Sequence, residues 1–279
     1  MKIWYNQVIN ILGGASSWQK LSIDLHPVYS IFLSCWLNNQ EGLSLTEIAE
    51  AIDAPKSSIL PLMHTMAQRK FIFFNAHTYK YSIGIGSFCV GSAYTSNMNA
   101  LQFIKSEMKY IVKKTNEICQ MGIFDRGQVL YVAKVDSDDP IRIISYVGKR
   151  LPAYCTALGK ALLCQKNIDD LRELYPDGLK EYTPNTITDF EVLAEQLKVV
   201  RKTMVATENG EANEQSYCLS VPLFKGDDIL AAISVSIPSF RMTDEKTELI
   251  KSLLLETKIK IETFFREHDI DSTQLTLSS

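Results

Sequence analysis

No apolar run in this 279-residue chain approaches the roughly 20 residues that a membrane-spanning helix needs. Its first stretch, MKIWYNQVINILGG, lacks the cationic start, continuous apolar segment and cleavage site of a secretory signal. Both absences point to the cytosol and away from a membrane. Cysteine is scarce, six in all, and no two form a CxxC pair. His26, His64, His77 and His268 are far apart. That argues against a structural zinc site and against a disulfide framework, and leaves reduced, mostly buried thiols. Phosphate-binding loops are missing as well. Gly159-Lys160 would need glycine at 154 and serine or threonine at 161, and the chain has Tyr154 and Ala161. Gly84-Ile85-Gly86 lacks the third glycine of a dinucleotide loop, and there is no G-x-S-x-G elbow. These glycines read as tight turns. No cofactor, no metal and no enzymatic activity are expected.

Nor does the chain carry an excess of positive charge: its formal net charge is −3. The sign is nevertheless uneven. Between Lys56 and Lys80 stand Lys56, Arg69, Lys70 and Lys80 with no acid among them. Local sign matters more than total charge for steering onto nucleic acid. With 46% hydrophobic and 22% charged residues, the chain can build ordinary cores, and its length suits two domains.

After a leader over 1–25, the segment PVYSIFLSCWLNN (27–39) has a helix-like start and apolar spacing. Ser44 with Glu47 has the form of a capping box opening a second helix, LTEIAEAI, with Leu45, Ile48, Ala49 and Ile52 on one face. Asp53-Ala54-Pro55 makes a short turn. A third helix runs from Lys56 to about Lys70 with Ile59, Leu62, Met63 and Met66 inward. The runs 71–74 and 79–83 flank the turn Asn75-Ala76-His77-Thr78 as a hairpin. Three helices and a hairpin predict a winged helix-turn-helix over 26–86, followed by a linker helix over 87–99. From 100 to 267 the texture changes. A long amphipathic helix covers 100–117. Strand-like runs lie at 118–124, 128–136, 141–147, 217–224 and 229–236, and helical ones at 155–164, 189–203 and 244–266. This predicts an α+β domain on an antiparallel sheet. Residues 268–279 read as a tail.

A helix-turn-helix needs a small residue where its helices meet, and Ala49 supplies it. It needs small polar or basic side chains at the start of the second helix, where Lys56, Ser57 and Ser58 stand ready for phosphates or base edges. Ser44, Thr46 and His64 complete the DNA-facing candidates. Any capped helical hairpin shares part of this pattern; the hairpin at wing distance favours the DNA reading. Pro61, inside the recognition helix, removes one backbone donor and predicts a slightly irregular helix.

Three stretches, LTEIAEAIDAPKSSI (45–59), LPAYCTALGKALL (151–163) and ENGEANEQSYCLSVPLF (208–224) with AAISVSIPSFR (231–241), resemble the IclR family of bacterial regulators. The resemblance spans roughly 27–266. It implies a winged helix-turn-helix joined to a GAF-like effector domain, assembled as dimers or tetramers on double-stranded operator DNA. It also implies a small organic acid or aromatic effector and control of a metabolic operon, first of all as a repressor. The chain departs from the family pattern at Pro61, usually arginine; at Ser58, often threonine; at Tyr154, usually histidine; and at two glycines, one before Cys218 and one where Ile237 stands. Pro61 leaves open a second reading, a ligand sensor or protein-interaction module with weak DNA binding.

Thr156 opens a helix whose free amides, with its hydroxyl, suit a carboxylate. Ser234 and Ser236 alternate onto one face of a strand near Cys218. By resemblance, the effector contacts fall on Thr156, Ala157, Glu208, Cys218, Ser234 and Ser236, and Tyr154 is a candidate to close the pocket. Plainer roles stand beside these: a helix cap for Thr156, packing for the serines, core for Cys218, a solvated loop charge for Glu208. Arg150 is either a counter-charge for an anion or a surface residue.

Overall fold

The computed structural model describes residues 42–96, 99–140, 143 and 145–270. The expected leader and the helix over 27–39 lie outside the described residues, as does the tail beyond Ile270. The chain forms two compact units with their border between Ala93 and Tyr94.

In the first unit, Gly42 takes a positive φ of 76° and passes close to a carbonyl: a β-carbon there would stand 2.6 Å from the Tyr81 oxygen. This admits strand β1 (Leu43–Ser44) beside β3 (Lys80–Ile83), which pairs on its other side with β2 (Ile72–Asn75), all antiparallel. Helix α1 (Leu45–Ala51) starts on the expected capping box. The Glu47 amide donates to Ser44 Oγ at 3.3 Å, and the Ser44 amide donates to the Glu47 carboxylate at 2.7 Å. Helix α2 (Lys56–Gln68) follows the turn and runs through Pro61. Ile48, Ala49, Ile59, Met63, Met66, Ile72 and Tyr81 form the core, with Leu62 half-buried against it. In the wing turn, Asn75 Oδ1 accepts from the amides of His77 and Thr78 at 2.9 and 3.3 Å, a local bond that fixes the reversal. Helix α3 (Ile85–Ser96) opens two residues before the expected linker. Gly84 explains why: a β-carbon there would lie 2.2 Å from the Lys70 carbonyl. Its glycine serves close packing against the end of α2.

The second unit is a six-stranded antiparallel sheet between two helical layers. Its strands are β4 (Ile118–Asp125), β5 (Gln128–Val135), β6 (Arg150–Pro152), β7 (Ala206–Asn209), β8 (Ser216–Lys225) and β9 (Asp228–Pro238), in the order β6-β5-β4-β9-β8-β7. Helices α4 (Asn99–Thr115) and α8 (Asp244–Glu267) cover one face. In α4 the buried Ala100, Leu101, Ile104, Met108 and Ile111 recur at helical spacing against Met121, Ile233, Val235 and Ile237. Burial of each large side chain of this kind stabilises by about 1.5–3 kcal/mol. The opposite face carries α5 (Ala157–Leu162), α6 (Ile168–Leu174) and α7 (Phe190–Thr203), with Leu158, Leu171, Leu193, Leu197 and Val200 in a second core.

One strand expectation is corrected. Of the run 141–147, the described residues 143 and 145–147 form no strand. This part of the chain is held along β5 instead. Lys134 Nζ donates to the Ser145 carbonyl at 2.7 Å, Gly148 N to the Tyr131 carbonyl at 2.8 Å, and Tyr131 N to the Lys149 carbonyl at 3.0 Å. The edge partner of β5 is the short β6. Strands β6 and β7 and helix α6 have no counterpart among the sequence expectations. The helix expected over 155–164 is a 3₁₀ turn at Ala153–Cys155 followed by α5.

Candidate effector cavity and nucleic-acid face

Strand pairing aligns polar residues across the sheet. Glu208 on β7 pairs with Cys218 on β8, and Cys218 with Ser236 on β9; Ser220 pairs with Ser234, and Ser234 with Gln120 on β4. Side chains two apart share a face, so Glu208, Cys218, Ser234, Ser236 and Gln120 all turn toward α5. There they line a cavity of about 90 Å³ together with Thr156, Ala157 and Leu158. The network is continuous: Cys218 Sγ lies 3.3 Å from Ser236 Oγ, which donates to Gln120 Oε1 at 3.2 Å.

Helix α5 is seated by two local features. Thr156 Oγ1 accepts from the Gly159 amide at 3.0 Å, an N-cap. Gly159 lies so close to the preceding turn that a β-carbon would stand 2.0 Å from the Ala153 carbonyl. Thr156 thus caps the helix and lines the cavity at once. Glu208 is 2% exposed on a strand and is no solvated loop charge. Its Oε1 accepts from the amides of Glu211 and Ala212. Burial nevertheless pushes its carboxyl above the ordinary carboxylate value. Burial and the neighbouring Glu208 push the Cys218 thiol well up, so it is a neutral wall atom.

The wall from Glu211 to Ser216 is clamped from behind. Lys160, 1% exposed, donates to Glu211 and, at 2.7 Å, to Gln196 Oε1. Thr183 Oγ1 donates to the Gly210 carbonyl at 2.6 Å and Thr186 Oγ1 to that of Glu211 at 2.7 Å.

Six expected effector residues therefore meet in one place, and Tyr154 does not join them. Its ring faces a different cavity and its hydroxyl donates to the Lys180 carbonyl at 2.9 Å. The 3₁₀ turn before Thr156 is the reason, since it carries Tyr154 to the far side of the α5 start. Arg150 pairs with Asp125 and is not in the wall. Sequence reasoning missed Gln120, Tyr131, Ser145, Lys149 and Ser216, which also line the cavity. Gln120 had a signal, a lone amide inside the apolar run ICQMGIF. Lys149 had none; only the chain's path along β5 brings it in, and among the described residues it is the cation of the lining. Among the described residues no cluster of His, Cys, Asp and Glu could hold a metal ion, and no helix is long and apolar enough to cross a membrane.

On the first unit, Lys56, Ser57, Ser58 and His64 are all exposed on the outer face of α2, and Thr46 is exposed at the start of α1. Ser44 is half-buried and committed to its capping box. No side chain caps α2, whose amides at Lys56 and Ser57 precede the first intrahelical bond. Pro61 is exposed on the same helix, and its carbonyl accepts from Thr65 Oγ1 at 2.9 Å.

Comparison with known proteins bears on both units. A family model described as the bacterial transcriptional regulator IclR C-terminal matches residues 92–263, and the IclR helix-turn-helix domain matches residues 33–73. The HTH-type transcriptional regulator KdgR of Escherichia coli (strain K12) is 27% identical over 236 residues, covering 84% of this chain and 89% of that protein. The HTH-type transcriptional repressor AllR of the same organism is 25% identical over 224 residues, 79% and 82% of the two chains. The crystal structure of an IclR transcriptional regulator from Alicyclobacillus acidocaldarius superposes with a TM-score of 0.77 at 24% identity, covering 85% of this chain and 96% of that one.

Proposed function

Because the chain belongs to the IclR family of bacterial transcriptional regulators, we propose that it is a ligand-controlled repressor of a metabolic operon, whose effector is a small, polar organic acid. The observation that carries the reading is the convergence of Gln120, Glu208, Cys218, Ser234, Ser236 and Thr156 on one cavity. Its hydroxyls and amide suit the hydroxyl or carbonyl groups of a short acid, and Lys149 is the counter-charge for its carboxylate. Glu208, buried and held by two amides, favours a ligand group that donates a hydrogen bond.

DNA engagement falls to the outer face of α2. Lys56 and the uncapped amides at its start suit phosphate, and Ser57, Ser58 and His64 are placed for base edges. Repression, rather than activation, accords with the relative named as a repressor. The protein works as a dimer or tetramer, an assembly that presents two copies of α2 to paired half-sites.

A gel shift on the DNA upstream of its own gene, with a thermal-shift screen of sugar acids and keto acids, tests this. A sequence-specific shift that one stabilising acid releases is the expected result. No specific shift at low salt, with or without acids, overturns it. The weak-DNA-binding alternative keeps one observation, the exposed Pro61 on the α2 face. It predicts that Pro61→Arg tightens operator binding, and unchanged affinity removes it.

A further inference from the structure

A second cavity, of about 230 Å³, opens on the effector unit, and none of its lining residues belongs to the first. Its chemistry is different. Tyr154, Tyr175 and Tyr182 contribute rings, with Pro152, Pro176 and Leu174 between them. The Tyr154 hydroxyl donates to the Lys180 carbonyl at 2.9 Å, and that of Tyr175 donates to the Gly127 carbonyl at 2.7 Å. The two rings meet edge to face with centroids 5.1 Å apart. Both phenol protons are therefore spent on the backbone and the rings are locked; Tyr154, buried, backs the cavity, and the open aromatic surface belongs to the half-buried Tyr175 and to Tyr182. Tyr182, 51% exposed, adds a third ring that nothing covers fully.

Charge is placed at the same mouth. Arg126 and Gly127 make the two-residue turn between β4 and β5, with φ of 48° and 80°. Asparagine, aspartate or glycine takes the first of these positions at low conformational cost; arginine does not. The Arg126 side chain is 74% exposed, with Nε 3.2 Å from Asp125 Oδ1. Lys180 lies on the lining as a second cation, and Asp177 is the acid.

We propose that this cavity is a second ligand site, and that it binds a planar aromatic carboxylate. The ring lies on Tyr175 and Tyr182, and the carboxylate meets the guanidinium of Arg126 and the ammonium of Lys180.

The two sites share a partition. Leu151 and Thr156 line the first cavity, and Pro152 and Tyr154, between them in sequence, line the second. Tyr182 leads directly to Thr183, which holds the Gly210 carbonyl next to the wall of the first cavity. Binding at the second site does not rest on the reading of the first cavity as the effector site.

Isothermal titration of the full chain with benzoate tests the proposal. Saturable binding is expected, weakened at least about tenfold by Arg126→Gly and by Tyr182→Ala and unchanged by paired Ser234→Ala and Ser236→Ala. Arg126→Gly removes the positive-φ cost, so its fold is preserved. Three results overturn the proposal: no saturable binding up to about 10 mM, full binding in both variants, or loss of binding in the serine pair alone, which puts the ring in the first cavity. Failure of the effector reading shows separately, as polar-acid shifts that the serine pair leaves untouched.

Discussion

Glu208 illustrates how a single carboxyl can tie the ligand cavity to pH. Burial raises it above the ordinary value near 4.5, even though two backbone amides donate to it. A carboxyl raised in the folded state binds its proton more tightly there than in the unfolded chain. The stability it supplies is full below the unfolded value and is lost as pH rises through the folded one. Glu211, raised by burial and partly restored by Lys160, acts in the same direction. Glu208→Gln keeps the carbonyl acceptor and removes the titration. Its Tm is expected to exceed that of the parent at pH about 8 and to converge with it near the unfolded value. Thermal melts across that window check this, and a constant difference between the two proteins contradicts it.

The element that matters most to the site is α5, only six residues long, which depends on its contacts for its place. Gly159→Ala forces a β-carbon onto the Ala153 carbonyl, so helix and turn must separate. We expect a loss of about 1–3 kcal/mol in a denaturant titration. Gly91→Ala, with nothing within 4 Å of the new atom, should instead gain about 0.5–1 kcal/mol, because the position is helical. On α2, Lys56→Ala should weaken DNA binding uniformly across sequences and lower the salt slope by about 1; an effect confined to one operator base would give Lys56 a base contact instead. Much of this was legible in the chain. The capping box at Ser44, the helical stripe of α4 and the alternation of Ser234 and Ser236 are local periodicities, and each appears as the spacing dictates. What the sequence hid depends on long-range packing. Lys149 enters the cavity because Ser145, Gly148 and Lys149 are bonded along β5. Tyr154 leaves it because a 3₁₀ turn rotates one residue away from its neighbours. Strands β6 and β7 are three and four residues long, too short for alternation to register.

For the whole molecule, two compact units imply two cooperative melting steps. An acid that fills the first cavity at a hundredfold excess over its Kd should stabilise the effector unit by about 2.7 kcal/mol. Calorimetry of the full chain should then show one transition displaced upward, the other responding only to operator DNA. A ligand that moves both transitions equally would mean that the units unfold as one.

Strand β9 carries a last consequence. Ile233, Val235 and Ile237 face the dry core while Ser234 and Ser236 face the cavity, so one stretch of backbone holds two independent texts. Substitution can rewrite one without disturbing the other. Insertion or deletion of one residue within β9, ahead of Ile233, would transpose them, sending serines inward and aliphatics to the ligand. Descendants of this chain can therefore acquire new ligand preferences by point change, but not by a change in the length of that strand.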